Sequence, residues 1–334
     1  MADWQTRLDE AEQAKLKRTS MPDWTAPMLA TLTDERFSSP DWLYERKLDG
    51  ERCLIFRDTD GVRLLSRNKK ELNDTYPELV KPLENACDRP FIADGEIVAF
   101  DGNVTSFSRL QQRIGITDPD KAHATGVAVI LYLFDLLYLD HWSLDELPLR
   151  RRKAILRSEL DFAAPLRFTA HRNEDGEAFF AEACRKGWEG LIAKRADAPY
   201  HHSRSRDWLK FKCVNQQELV IIGFTDPQGE RHGFGALLLG YYEDDQLRYA
   251  GKVGTGFDDE TLTTLHAKLA ERERETSPLA DAPEDDSIHW VTPELVAEIG
   301  FTEWTGDDRL RHPRFLGLRD DKPATQVHRE RPSG

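Results

Sequence analysis

Short apolar runs such as Cys53-Leu54-Ile55-Phe56 and Ile97-Val98-Ala99-Phe100 recur through residues 43–100, with turn-forming Asp-Gly pairs among them, which predicts mainly strands joined by tight turns. A helix is predicted to interrupt them over 77–86. The run 127–139 is apolar almost without a break and predicts a central strand buried on both faces. Helical patterns follow over 144–160 and 175–186, and strands over 190–194 and 208–212. Near the start, Trp4, Leu8, Ala11, Ala14 and Lys15 fall at roughly helical spacing, predicting a short amphipathic helix within 1–18 before the proline-bearing stretch 22–27.

The pattern changes after residue 216. Short strands are predicted over 218–224, 236–242 and 247–253, a helix over 258–274, and further strands over 296–304, with an acidic, proline-containing loop at 277–287. The expected fold is therefore α+β: antiparallel sheets flanked by helices over 1–216, then a small β-barrel of the OB-fold type over 217–334.

Composition narrows the function. At 334 residues, with 39% hydrophobic and 32% charged content, the chain suits two soluble domains. The longest apolar run is interrupted by Asp135 and falls short of the roughly 18 residues a membrane span needs. The first twenty residues are charged and lack the apolar centre of a signal peptide, so a cytoplasmic location with no membrane partner is expected. Cys53, Cys87, Cys184 and Cys213 are far apart in sequence, form no C-x-x-C pair, and read as reduced, mostly buried residues rather than zinc ligands. The net charge of -14 opposes general affinity for nucleic acid. Yet Arg204, Arg206, Lys210 and Lys212 lie within nine positions, which allows a positive face on an acidic body whose DNA binding is weak and falls steeply with salt.

The chemistry centres on Lys47, in Lys47-Leu48-Asp49-Gly50-Glu51-Arg52. A lysine attacks phosphorus once burial or nearby cations make its neutral form accessible, and K-x-D-G-x-R between two strands is the pattern of a covalent nucleotidyl transfer site. The plainer reading is an exposed lysine beside an Asp49-Gly50 hairpin. Glu96, after Asp94-Gly95, and Glu189, in Trp188-Glu189-Gly190, enter apolar strands; they read either as strand-end surface groups or as a carboxylate pair for Mg²⁺ beside phosphate oxygens. Lys194, Lys210 and Lys212 alternate with apolar neighbours, as ordinary outward residues or as cations sharing one cavity. Phe134 reads as core or as a platform for a purine.

The order of these motifs resembles the covalent nucleotidyltransferases, specifically the ATP-dependent DNA ligases, and is most similar to the compact bacterial type related to the ligase domain of end-joining repair enzymes. The likeness runs from Ala26-Pro27-Met28-Leu29-Ala30 to Arg319-Asp320-Asp321-Lys322. It implies that Lys47 becomes adenylylated, that Glu45 lies near the adenine, and that Arg52 contacts the nucleotide or the nick phosphate. It assigns Arg67 to ribose or DNA phosphate, Glu96 to ribose or metal, Phe134 to the adenine face, Glu189 to metal, and Lys210 and Lys212 to phosphates. Arg319 and Lys322 match the C-terminal motif that closes over the ATP pyrophosphate, and Lys252 fits this subgroup's second domain; Arg204, Arg206 and Lys252 are the candidate DNA contacts.

The reaction so implied uses ATP with Mg²⁺, or Mn²⁺ in its place, and seals nicked or broken duplex DNA in three steps. The second domain is expected to swing between them. No DNA-encircling domain of the kind larger relatives carry is expected here, so weak unaided DNA binding and a DNA-end-binding protein as recruiting partner are further expectations; a monomeric state is expected as well. An RNA ligase or capping-type guanylyltransferase shares the K-x-D-G logic. A non-catalytic OB-fold DNA-binding protein is the reading from another class.

Overall fold

Along the strand Glu51–Asp58, Cys53 and Ile55 enter one buried cluster while Leu54 and Phe56 enter another. Successive side chains of a strand point to opposite faces, so this strand lies in a sheet covered on both sides. The computed structural model, which describes residues 3–331 apart from 228, 230, 284, 320 and 321, shows what covers each face. On the first, Leu79 and Leu83 of the helix Pro77–Ala86 and Ile155 and Leu156 of the helix Leu149–Glu159 pack against the sheet. On the second, Met28, Phe134, Tyr200 and Trp208 fill the space toward another sheet. A fully buried side chain of this size contributes about 1.5–3 kcal/mol, so both faces are strongly specified.

The first sheet has eight strands, with Val129–Leu139 and Phe91–Asp101 paired at its centre and Glu51–Asp58 and Gly61–Ser66 following outward. Val129–Leu139 is the predicted central strand. Its pairing with Phe91–Asp101 shifts register at two places, and across the shifts Leu133 and Leu136 both face the helices while Phe134 and Leu137 face the other way.

The second sheet has five strands, in which Gly190–Arg195 lies between Trp42–Arg46 and Arg204–Lys212. Its outer face buries Tyr44, Leu191, Ala193, Leu209 and Phe211 against Phe179 and Ala183 of the helix Gly176–Arg185. By alternation, Glu45, Lys194, Lys210 and Lys212 belong to the opposite face of that sheet. Most pairs in the two sheets are antiparallel; Leu166–Phe168 and Leu29–Leu32 are parallel additions.

These elements belong to a compact unit that ends at Cys213, and a second unit runs from Val214 to Arg331. In the second, the long strand Asn215–Thr225 pairs with Leu237–Glu243 on one side and with Ile288–Val291 and Val296–Phe301 on the other. Arg314–Leu318 joins the edge of Val296–Phe301, giving a seven-stranded curled sheet, a small OB-fold barrel with the helix Asp259–Ala270 against its core. The α+β class and the barrel are as the periodicity predicts.

Several expectations change. In place of an amphipathic helix within 1–18 there are a 3-10 turn, Asp3–Arg7, a four-residue helix, Glu10–Gln13, and a strand, Lys17–Arg18. Trp4 and Leu8 sink into the main core and Glu12 is drawn to Arg151, so tertiary contacts prevail over a weak period too short to nucleate a helix alone. The predicted helix over 144–160 starts only at Leu149, after Pro148, because Leu144 and Leu147 are anchored in the core ahead of it. The one over 258–274 stops at Ala270, and Glu273–Arg274 pairs as a strand. Two short helices, Phe107–Gln111 and Pro119–Ala124, occupy a stretch where no element was expected. Their caps, Ser106 and Asp118 before Pro119, are the signals that mark them.

Cys184 and Cys213, expected as free thiols, form a disulfide within the first unit, whereas Cys53 and Cys87 are free and buried. Separation in sequence is no guide here, because the fold brings the two Cα atoms to 5.2 Å. Among the described residues no helix is long and apolar enough to cross a membrane.

Candidate active site

The strands flanking Asp49-Gly50, Trp42–Arg46 and Glu51–Asp58, lie in different sheets, so the turn is not the hairpin of the plainer reading. It is a crossover, and Lys47 stands where the chain passes between sheets. Three contacts hold it in place. The Lys47 N–H donates to Gly190 O at 2.9 Å, the Asp49 N–H donates to Thr105 Oγ1 at 3.2 Å, and Asp49 Oδ2 accepts from the Phe107 N–H at 3.1 Å. Gly50 passes so close to the neighbouring strand that a Cβ would fall 2.1 Å from Ile97 O.

Lys47 Nζ lies 2.5 Å from Glu189 Oε2, and its side chain keeps 21% exposure against 8% for Glu189. Burial pushes the Lys47 ammonium down, but the Glu189 carboxylate, helped by Asp49 and Glu96, outweighs it and holds the group protonated above its ordinary range. Glu96 is on Phe91–Asp101, opposite Arg52 in the register. The predicted turn at Asp94-Gly95 does not exist, since both residues are inside that strand.

Asp94 itself is a residue the sequence reading passed over. It is fully buried and takes Arg52 in a fork, Nε to Oδ1 at 2.5 Å and Nη2 to Oδ2 at 2.6 Å, while the Tyr200 hydroxyl donates to Oδ2 at 2.6 Å. Burial opposes the Arg52 charge, but Asp94 more than restores it. An aspartate inside an apolar strand is the signal that marks it.

Phe134 is 7% exposed, with the Arg52 guanidinium carbon 4.7 Å from its ring centre and Lys194 Nζ at 4.1 Å. Lys194 is also 4.1 Å from the centre of the Trp208 ring. Glu45, only 2% exposed, receives Lys153 on Oε1 at 2.5 Å and has Lys194 Nζ at 2.6 Å from Oε2. Burial raises the Glu45 carboxyl, but Lys153 and Lys194 together take it below its ordinary value. Lys194 is pushed down to about 8, by burial first and by Lys153, with Glu45 pulling the other way. Lys153 was another residue not foreseen, because Arg150-Arg151-Arg152-Lys153 looks like a solvated helix face.

Lys210 pairs across the sheet with Ile192, and Lys212 with Gly190. Arg204 and Arg206 lie on the same strand, longer than predicted, as exposed residues, with Arg204 donating to Ala30 O. Arg67 is half-buried in the turn after Gly61–Ser66. The first unit thus brings Lys47, Glu45, Arg52, Glu96, Phe134 and Glu189 into one neighbourhood.

The other candidates belong to the second unit. There Lys322 pairs with Glu218, and Arg319 Nε lies 4.0 Å from the same carboxylate, which is held down to about 2 against the effect of burial. Asp320 and Asp321 of that motif lie outside the described residues. Lys252 is held by Asp285 at 2.6 Å, in the acidic loop.

Gly190 supports both Lys47 and the Lys212 strand. Its φ is +150°, and a Cβ would fall 1.8 Å from Phe211 O, a backbone atom of the adjacent strand. Gly190→Ala is expected to cost about 3 kcal/mol and to slow any chemistry at Lys47 by displacing its anchor. A thermal melt that matched the wild type would refute this.

Comparison with known proteins gives the same assignment over nearly the whole chain. A family model described as "ATP dependent DNA ligase domain" matches residues 27–212, and one described as "ATP dependent DNA ligase C terminal region" matches 230–322. The chain is 40% identical over 327 residues to the multifunctional non-homologous end joining protein LigD of Pseudomonas aeruginosa, covering 95% of this chain and 38% of that protein. With the multifunctional non-homologous end joining DNA repair protein LigD of Mycobacterium tuberculosis it shares 37% over 316 residues, 92% of this chain and 40% of the other. The chain therefore spans about two-fifths of the length of these curated relatives. Among solved structures, a mycobacterial DNA ligase D complexed with ATP and MES matches with a TM-score of 0.67 and 36% identity, covering 92% of this chain and 98% of that one.

Proposed function

Because the chain belongs to the ATP-dependent DNA ligases, we propose that it joins a 5′-phosphate to a 3′-hydroxyl at breaks in duplex DNA, with Lys47 carrying AMP from ATP to the DNA. The observation that carries this reading is Lys47 itself, fixed at the crossover between two sheets with Glu189 on its ammonium and Glu96 close enough to affect its charge.

In the first step the Lys47 amine attacks the α-phosphorus of ATP and pyrophosphate leaves. In the second, a DNA 5′-phosphate oxygen attacks the lysyl-AMP phosphorus and Lys47 is released. In the third, the 3′-hydroxyl attacks the 5′-phosphorus and AMP departs. Lys210 and Lys212 are suited to neutralise phosphate oxygens throughout, and Phe134 with Glu45 to hold the base.

Among the described residues no group of three or more metal-binding side chains is preformed. Two carboxylates, Glu96 and Glu189, nevertheless suit Mg²⁺ or Mn²⁺, which keeps waters and takes the remaining ligands from substrate phosphates. Such an ion would supply charge neutralisation at the α-phosphate. Lys47 cannot attack while Glu189 holds its ammonium. Once Glu189 is engaged elsewhere, the strongest influence holding the charge is removed, and burial works toward the neutral nucleophile.

Arg204 and Arg206, exposed on one strand, are suited to DNA phosphates, and a phosphate reaching Lys252 would have to replace Asp285. Arg319 and Lys322 are assigned to the pyrophosphate, and Arg67 to ribose or DNA phosphate. The end-joining names of the relatives support action at double-strand breaks; a DNA-end-binding protein as partner, a cytoplasmic location and a monomeric state complete the proposed reading.

The test is a chase. Protein labelled with α-phosphate-labelled ATP and Mg²⁺ is freed of nucleotide and given nicked duplex DNA. One sealed nick per AMP released is expected; a protein that never takes label, or discharges only to RNA, would overturn the reading.

A further inference from the structure

The two lysines on Glu45 are not equivalent. Lys153 reaches from the helix Leu149–Glu159, and its ammonium donates to Glu45 Oε1 at 2.5 Å, to Thr169 O at 3.0 Å and to Phe134 O at 3.4 Å. An ammonium has three N–H donors, so Lys153 is fully committed, with 1% of its side chain exposed. Lys194 approaches the other oxygen, Oε2, at 2.6 Å with no second oxygen acceptor among the described residues, and rests between the Phe134 and Trp208 rings. One cation is therefore locked and the other adjustable.

Lys153 fixes the two residues assigned to the base at once, Glu45 through its carboxylate and Phe134 through its backbone. Burying a lysine is costly, and a hydrophobic residue of similar length would pack in its place without that cost. A structural explanation of Lys153 by itself does not account for a charge at this point. A carboxylate that must stay ionised, and stay still, does. An ionised carboxylate only accepts hydrogen bonds, so it favours a base carrying an amino group at position 6 over one carrying a carbonyl there.

We infer that Lys153 is a positioning residue for nucleobase recognition, acting through Glu45 to hold the pocket in the form that selects adenine. The inference rests on the reading of Glu45 as the residue beside the base. Lys153 touches no substrate in this scheme. Without it, the Glu45 carboxylate is left to Lys194 alone and swings toward it, away from the base.

The experiment measures self-adenylylation of the full chain with ATP, and self-labelling with inosine triphosphate, whose base has a carbonyl in place of the 6-amino group. Lys153→Met is expected to raise the KM for ATP roughly tenfold to a hundredfold, the range for a lost hydrogen bond to a charged group, with little change in the maximal rate. Its preference for ATP over inosine triphosphate should fall by a similar factor. Glu45→Gln should do the same, and the double variant should be no worse than Glu45→Gln alone, since one residue acts through the other.

An unchanged KM and base preference in Lys153→Met, beside a clear defect in Glu45→Gln, would overturn the role of Lys153 and leave that of Glu45 standing. A wild-type KM in Glu45→Gln would remove the premise and the inference with it. If Lys153→Met does not fold, the double variant, which buries no unpaired carboxylate, decides: a KM equal to that of Glu45→Gln supports the role, and a further loss of base preference overturns it.

Discussion

Lys47→Ala is expected to abolish labelling by α-phosphate-labelled ATP, a loss of at least about a thousandfold, while the protein stays folded. The amine is the atom that bonds to phosphorus, and no neighbouring group takes its place: Glu189 carries the wrong charge, and Lys194 is engaged with Glu45. The structural cost should be about 1–3 kcal/mol, because Glu189, only 8% exposed, loses its cation, while the one-fifth exposure of Lys47 lets water take part of the contact. Sealing of a nick that already carries AMP needs no lysyl intermediate and should survive in part. Circular dichroism, labelling and sealing of the adenylylated nick, measured on one preparation, separate these effects. A folded variant that still labels would remove Lys47 from the mechanism, and a folded variant that seals nothing would give it a further role in the last step.

Arg152→Ala is expected to have the largest effect on stability, about 3–5 kcal/mol, because it leaves Asp135 charged and unpaired in the core. Both side chains are fully buried, and Arg152 donates from Nε to Asp135 Oδ1 at 2.7 Å and from Nη2 to Oδ2 at 2.9 Å. Its remaining donors reach Leu147 O at 2.5 Å and Ala198 O at 3.1 Å, so one guanidinium joins the central strand, the segment just before its own helix and the segment after Gly190–Arg195. A loss of this size takes much of the stability of an ordinary domain and should appear in urea as a large fall in the midpoint. Replacing both partners, Arg152→Met with Asp135→Leu, should recover most of the loss, since it removes the unpaired charge along with the pair. If Arg152→Ala costs less than about 1 kcal/mol, the buried pair is not what holds these elements.

Lys153 and Arg152 also show where sequence reading stops. Four consecutive cations on a predicted helix have the look of a solvated face, and only two of them are buried. Their partners are distant in the chain: Asp135 is 17 positions from Arg152, and Glu45 is 108 from Lys153. No local pattern records such a pairing. Asp94 was hidden differently, since Asp94-Gly95 has the form of a turn and becomes strand only when both neighbouring strands are in place. The Asp49-Gly50 turn misled in the same way, because a hairpin and a crossover begin with the same residues and differ in what the next strand pairs with.

By itself the sequence determined what depends on local spacing. It set the strands over 43–100, the buried central strand, the helices Pro77–Ala86 and Gly176–Arg185, the alternation that sends Lys194, Lys210 and Lys212 to one face, and the order of motifs around Lys47. Those features rest on a period of two or 3.6 residues, or on a short motif, and both are visible in a single chain. Only the tertiary structure decided that Arg52 is held by Asp94, that Glu45 sits between Lys153 and Lys194, that Lys322 and Arg319 share Glu218, and that Cys184 meets Cys213. A buried charge takes its state from whichever partner the fold brings within a few ångströms, and in this chain tertiary packing makes that choice across 108 residues for Lys153 and Glu45 and 104 for Lys322 and Glu218.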